Sequence, residues 1–278
     1  MTVCVAAICE HGNRIVMASD SRIGDDVMSA DTPIAKFESF KNWTVMFAGK
    51  LGDSCAIVKT IKRTVENSPT KVDEVAMMHI AQRAFTEQKM EMASFPILSS
   101  HNLTHAEFVQ DGKKRFTPKE HARITNEINQ NGYGFDAQLL VCGWGQYEPT
   151  LFTVDEKGLV HRDREGFAAI GIGHISAYTM MMWAAKNALN SFHIDANLWV
   201  TLLYVAGAKF FAERTDGVGT NTYIRIATRG MEQVFALTSD DIANLRHWWN
   251  TTMAPGSGAN NIQDGVAEML RERIPRQT

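Results

Sequence analysis

Cysteine is scarce in this chain of 278 residues. Cys4, Cys9, Cys55 and Cys142 are scattered, with no C-x-x-C pair and no regular framework. That excludes a disulfide scaffold and makes reduced core thiols the expectation, as in a cytoplasmic protein. Long apolar runs are missing too. The longest, around 178–185 and 198–208, fall well short of the ~20 residues that a membrane helix needs. No basic segment followed by an apolar one opens the chain, so no secretory signal is expected. Basic excess is absent: 28 Lys and Arg stand against 31 Asp and Glu, a net charge of -3. There is no electrostatic reason to expect nucleic acid as a partner. Neither an internal repeat nor a low-complexity segment is visible.

What is present is a globular composition. Hydrophobic residues make up 45% of the chain, enough to bury a sizeable core. Residues 2–9 and Arg14–Asp20 are apolar runs flanking Glu10-His11-Gly12-Asn13, which reads as a hairpin. A further strand signal covers 43–47. Ile57, Val58, Ile61 and Val65 then follow helical spacing, until Pro69 breaks the run. A second helix starts near Val72, with Val75, Ile80, Ala84 and Phe85 on its apolar side.

From about 93 to 134 the character becomes polar, and an insertion carrying a short helix near 121–128 is predicted. Strands follow at 135–142, 150–154 and 159–161, then helices at 176–189 and 195–212, the second capped by Asp195 or Asn197. Strands at 222–227 and 233–237 and helices from about Asp240 and Asn261 end the chain. Strands and helices therefore come in clusters rather than in βαβ alternation. This predicts an α+β fold, a four-layer αββα sandwich of antiparallel sheets. Residues 1–278 read as one domain with an insertion at about 93–134 and an added C-terminal helical segment at about 240–278.

Taken singly, most polar features have a plain reading. Thr2 is an ordinary strand residue, and Asp20 with Lys36 makes a structural ion pair. His101 and His105 have H-x-x-x-H spacing but no evident third ligand, so no metal is expected. The Met-rich stretch from Tyr178 to Trp183 is core or subunit contact. The Lys113-Lys114-Arg115 run is a solvated face.

Together, several stretches resemble proteasome β-type subunits and the related bacterial ring proteases. The opening Thr2-Val3-Cys4-Val5, the hairpin and Met17-Ala18-Ser19-Asp20-Ser21-Arg22 are similar to that family's threonine, alternating strand, glycine turn and A-x-D-S-R. Pro33-Ile34-Ala35-Lys36-Phe37 lies where the family places its lysine. Ala48-Gly49-Lys50-Leu51-Gly52-Asp53 is similar to its A-G-x-x-x-D segment. Residues 139–143, 151–155 and the run Phe167 to Gly173 resemble its later strands and its A-x-G-x-G turn. Asp216 stands where the family carries an aspartate before its last strands. The likeness spans about 2–238 and leaves the insertion unmatched.

The resemblance implies an N-terminal nucleophile (Ntn) hydrolase fold and a threonine-type peptidase without cofactor or metal. Thr2, freed by removal of Met1, would supply both hydroxyl nucleophile and α-amine base. Lys36 would favour the deprotonated oxygen and Asp20 would hold Lys36 by a charged hydrogen bond. Gly49 would offer a backbone N–H to the oxyanion, and Asp216 would support the amine. Ser21, Ile34, Phe47 and Leu51 would bind substrate, with a pocket for small or medium apolar side chains. The chain departs from the family at Ile172, His174 and Gly219, where serines are frequent, and its hairpin is about two residues longer. Peptide or unfolded protein is the implied substrate and a homo-oligomeric ring the implied assembly, with any ATPase partner unknown. The helices at 54–65 and 72–85 would make its contacts. Two alternatives stand: a catalytically inactive ring or scaffold subunit, and a small-amide hydrolase on the same fold.

Overall fold

Apolar runs buried on both faces set the central strands of the computed structural model, which describes residues 2–24, 29–31, 36–146, 148–187, 194–231 and 233–252. β1 (Cys4–Cys9) and β2 (Arg14–Asp20) pair antiparallel, with Val5 opposite Ala18. They are joined by a 3-10 turn in which Glu10, His11 and Gly12 all have positive φ. β3 (Arg22–Gly24) and β4 (Ser29–Asp31) form a small ribbon. β5 (Phe37–Phe40) and β6 (Trp43–Gly49) lead into α1 (Leu51–Glu66) and α2 (Glu74–Leu98).

Next come α3 (His105–Arg115) and α4 (Pro118–Asn131), then β7 (Ala137–Trp144), β8 (Pro149–Val154), β9 (Val160–Arg162) and β10 (Phe167–Ile170). α5 (His174–Asn187), α6 (Leu198–Ala212), β11 (Thr222–Thr228), β12 (Phe235–Ala236) and α7 (Ser239–Thr252) complete the described order. The strands form two antiparallel sheets, ordered β10-β1-β2-β11-β12 and β5-β6-β7-β8-β9.

Alternation sends successive residues of one strand to different cores. Val5, Ala7, Val16 and Ala18 pack with side chains of α5, α6 and α7, whereas Cys4, Ala6, Ile15 and Met17 pack with Met46, Ala48, Leu140 and Cys142 of the second sheet. The outer face of that sheet, with Val45, Phe47, Leu139 and Phe152, meets Ile57 and Ile61 of α1 and Met77 and Phe85 of α2.

The predicted four-layer αββα sandwich is corrected. Ala93, Leu98, Leu103, Phe108, Ile124 and Ile128 form a separate apolar centre among the far end of α2, α3 and α4, and the β3–β4 ribbon belongs to neither sheet. The architecture is α+β: two five-stranded antiparallel sheets, a two-stranded ribbon and, among the described residues, seven α-helices.

Other expectations also change. The insertion predicted to begin at about 93 opens inside α2, because Pro96 falls in the last turn of that helix, where its missing N–H removes a single bond near the helix end. Val75, expected on the apolar side, is exposed. The insertion holds two helices rather than one. Thr104 with Glu107 and Thr117 with Glu120 form reciprocal capping boxes that start them, a T-x-x-E signal legible in the sequence. His101 and His105 do not share a helix face: Asn102, left-handed, ends a 3-10 turn between them. Asn197, not Asp195, caps α6 by accepting the Val200 N–H at 3.0 Å. No helix among the described residues is long and apolar enough to cross a membrane. The helix expected near Asn261 lies outside the described residues.

Candidate active site

Thr2 lies just ahead of β1 and is buried. Two glycines fix its backbone. The Gly173 N–H donates to the Thr2 carbonyl at 3.2 Å. A Cβ on Gly171 would lie 2.3 Å from that same oxygen, and Gly171 has φ +87°, a conformation open to glycine at little cost. The Gly171 N–H in turn donates to Gln138 Oε1 at 2.8 Å, which ties the β10–α5 turn to β7 of the other sheet.

Asp20, the last residue of β2, is fully buried. Its Oδ1 accepts two donors, the Thr2 hydroxyl and Lys36 Nζ, the latter at 3.0 Å. Its Oδ2 accepts the Gly219 N–H at 2.8 Å. Lys36 stands immediately before β5, almost sealed from solvent, and also donates to the Arg22 carbonyl. A buried carboxylate with this many donors, one of them cationic, has its desolvation offset by charge-assisted hydrogen bonds. The structure thus brings Thr2, Asp20 and Lys36 together on one carboxylate.

Cys4 is close to the same charges. Its thiol donates to the Phe47 carbonyl at 3.4 Å, which sets the start of β1 beside the end of β6. Burial pushes that thiol up to about 12, against a smaller downward pull from Lys36. A thiol so placed is not a nucleophile at neutral pH. Of Thr2, Cys4, Asp20 and Lys36, Thr2 is the one that brings a hydroxyl to the cluster.

The remaining expected residues divide. Gly49 ends β6 with φ +97°, and a Cβ there would fall 2.4 Å from the Asp136 carbonyl, so no other residue fits. Ser21 is buried between β2 and β3. Phe47 and Leu51 belong to the core between the second sheet and the α1–α2 pair, on the side of β6 away from the sheet-to-sheet interface. The structure does not bring their side chains to the cluster. Asp216 sits in the turn after α6 and is exposed. Met1 and Ile34 lie outside the described residues. Among the described residues no group of three His, Cys, Asp or Glu side chains could hold a metal.

Three further partners complete the site, two through backbone atoms and Gln138 through its side-chain oxygen. The N–H of Gly219, the carbonyl of Arg22 and the amide of Gln138 have no motif that announces them. Asp53, buried in the first turn of α1, has its carboxyl pushed up by desolvation, while Lys50 and the Asp136 N–H pull it down.

No family model matches the chain, and no curated protein matches it. The reading as a member of the proteasome β-type subunits is therefore corrected: what the chain resembles among solved structures is Anbu. An Anbu mutant from Hyphomicrobium sp. strain MC1 aligns with a TM-score of 0.61 at 16% identity, covering 100% of both chains. Anbu from Yersinia bercovieri, described as an ancestral beta-subunit, aligns with a TM-score of 0.59 at 17% identity, again over 100% of both chains. At that identity the likeness is one of fold: this chain shares the fold of the Anbu subunits.

Proposed function

We propose that this chain is a threonine-type N-terminal nucleophile hydrolase that cleaves peptide bonds within a ring of its own copies. The observation that carries the reading is the meeting of the Thr2 hydroxyl and the Lys36 ammonium on one oxygen of buried Asp20. Removal of Met1 frees the Thr2 α-amine, whose unperturbed pKa of ~8 lets it take a proton near neutrality. Thr2 Oγ1 attacks the substrate carbonyl, its proton passes to that amine, and the negative oxygen is met by the Gly49 N–H. Collapse breaks the C–N bond, the leaving amine takes the proton, and water then releases the acyl group from Thr2. Lys36 favours the oxygen anion electrostatically and Asp20 holds Lys36 and Thr2 in register.

The chain acts as one domain with the helical insertion at about 93–134 and the C-terminal segment from about 240. Val75, Met92 and Phe95 on α2 are exposed apolar side chains, which supports α2 as a contact between copies. The name ancestral beta-subunit given to the Yersinia bercovieri protein agrees with a ring. One observation favours a second reading, a subunit that keeps the fold without the chemistry: Asp216 faces solvent instead of Thr2.

Fluorogenic peptides decide between them. Hydrolysis that disappears in both Thr2→Ala and Lys36→Ala supports the peptidase; no turnover of peptides or small amides by the Met1-free protein supports the inactive subunit. Native mass spectrometry showing only monomer at micromolar concentration would remove the ring from the account.

A further inference from the structure

One lysine has no part in the chemistry just described, yet it is among the most deeply buried side chains of the protein. Lys209 lies in α6, an otherwise apolar helix, with no solvent exposure. Its Nζ donates to Glu213 Oε1 at 2.6 Å, one turn further on, and to the Gly219 carbonyl at 2.7 Å. Glu213 is gripped from the other side by Arg246 of α7, through two bonds of 2.6 and 2.8 Å. Arg246 also reaches the Thr220 carbonyl at 3.1 Å. Two cations therefore hold the backbone at 219–220 from the helix side.

On its other side the same residue serves the reactive cluster. The Gly219 N–H is the donor to Asp20 Oδ2. Asp20 Oδ1 is already committed to Thr2 and Lys36, so the plane of the carboxylate depends on what holds Oδ2. Gly219 has no side chain to anchor it, and it follows Gly217, whose φ is +91°. A glycine-rich turn has many accessible conformations. The peptide that carries the Gly219 N–H is held at its Val218 carbonyl by Arg22 at 3.4 Å, and the peptide that follows is held by Lys209 through the Gly219 carbonyl, so that Gly219 is fixed from both sides.

Desolvation draws the Lys209 pKa down while Glu213 and Asp20 draw it back up and Arg246 opposes them. An apolar side chain would fill this place in α6 without any such cost.

We propose that Lys209 is a positioning residue for Asp20: by fixing Gly219 through its carbonyl it aims the Gly219 N–H at Asp20 Oδ2 and so orients the carboxylate that holds Thr2 and Lys36. Glu213 and Arg246 keep the ammonium in place. This rests on the reading of Thr2 as the nucleophile, but its geometric part is measurable without activity.

The test uses the full-length, Met1-free protein with glycine-selective 15N labelling, comparing wild type, Lys209→Met and Lys209→Met/Glu213→Gln. In the single variant Glu213 stays paired with Arg246; the double variant restores the net charge of the group, so an effect shared by both comes from the lost bond to Gly219 and not from the altered charge. The expected result is that the Gly219 amide signal moves towards the range of weakly bonded amides. The rate of Thr2 acylation should fall 10- to 100-fold, with KM for a fluorogenic peptide changing less than twofold. Rates and a Gly219 signal equal to wild type in the folded double variant would overturn the proposal. If wild type does not acylate at all, the function reading fails, and the Gly219 signal still decides whether Lys209 positions the turn.

Discussion

Lys36 Nζ stands 3.0 Å from Asp20 Oδ1, across 16 residues of chain, with both side chains withdrawn from solvent. A pair of this kind is weak support for stability while intact but costly to break, because the survivor is left charged and buried. Lys36→Met should therefore lower unfolding free energy by about 3–5 kcal/mol in urea titrations. Lys36→Met/Asp20→Asn should recover part of that loss. A single variant within about 1 kcal/mol of wild type would mean that the pair is solvated, as surface pairs are.

Gly171 and Gly52 offer a matched contrast. A methyl group at Gly171 would press on the Thr2 carbonyl and demand φ +87°, whereas one at Gly52 in α1 would meet nothing within 4 Å. Gly171→Ala should destabilise by about 1–3 kcal/mol through strain and abolish peptide hydrolysis by displacing Thr2. Gly52→Ala should stabilise by up to about 1 kcal/mol, as helix propensity directs, and leave hydrolysis unchanged. Thermal melts and peptide assays on the two variants read both effects; equal behaviour would detach Gly171 from Thr2.

Asp163 supplies a pH dependence. Burial raises its carboxyl from 3.8 to about 6, although it accepts the Glu165 N–H at 2.8 Å. A raised native pKa means that the folded state binds the proton more tightly. The contribution is thus favourable below about pH 4 and lost as pH climbs to about 6. Asp163→Asn, which keeps the acceptor oxygen, should raise Tm by about 2–4 °C at pH 7.5 and change it little at pH 4. The opposite ordering would place Asp163 in water.

The thiols give a further check. Cys4, Cys9 and Cys142 are buried with their pKa values pushed up, Cys4 and Cys9 to about 12. Cys55 is only half-buried, with a smaller upward push from burial. Brief treatment of the native protein with iodoacetamide at pH 8 should add one group, on Cys55, and unfolding should expose the other three. Native labelling of Cys4 would show the start of β1 to be open.

Much of this site was legible as a pattern and little of it as geometry. Thr2, Asp20 and Lys36 are legible because they meet through their side chains, whose types and spacing can be read in the sequence. The strands β1 and β2 are equally plain as apolar runs, since both of their faces are buried. The helices α3 and α4 were underread: their capping boxes are in the sequence, but their apolar residues are too few to mark a core, which forms only when α2 joins them. Phe47 is expected at the cluster only by carry-over from the resemblance, and period two turns its ring to the opposite face of β6. Gly219, Arg22 and Lys209 escaped for another reason. The first two act through backbone atoms, which any residue possesses, and Lys209 matters only because a turn ten residues away folds back against α6.

The most direct test is a mass measurement of the protein from its own host before and after treatment with a peptide epoxyketone. That reagent closes a ring only where a hydroxyl and a free amine belong to one residue. The account predicts loss of Met1, one adduct per chain, and the adduct on the peptide beginning at Thr2, absent in Thr2→Ala. A chain that retains Met1 and still hydrolyses peptides at full rate would contradict it, because Thr2 would then carry an amide where the mechanism requires a base.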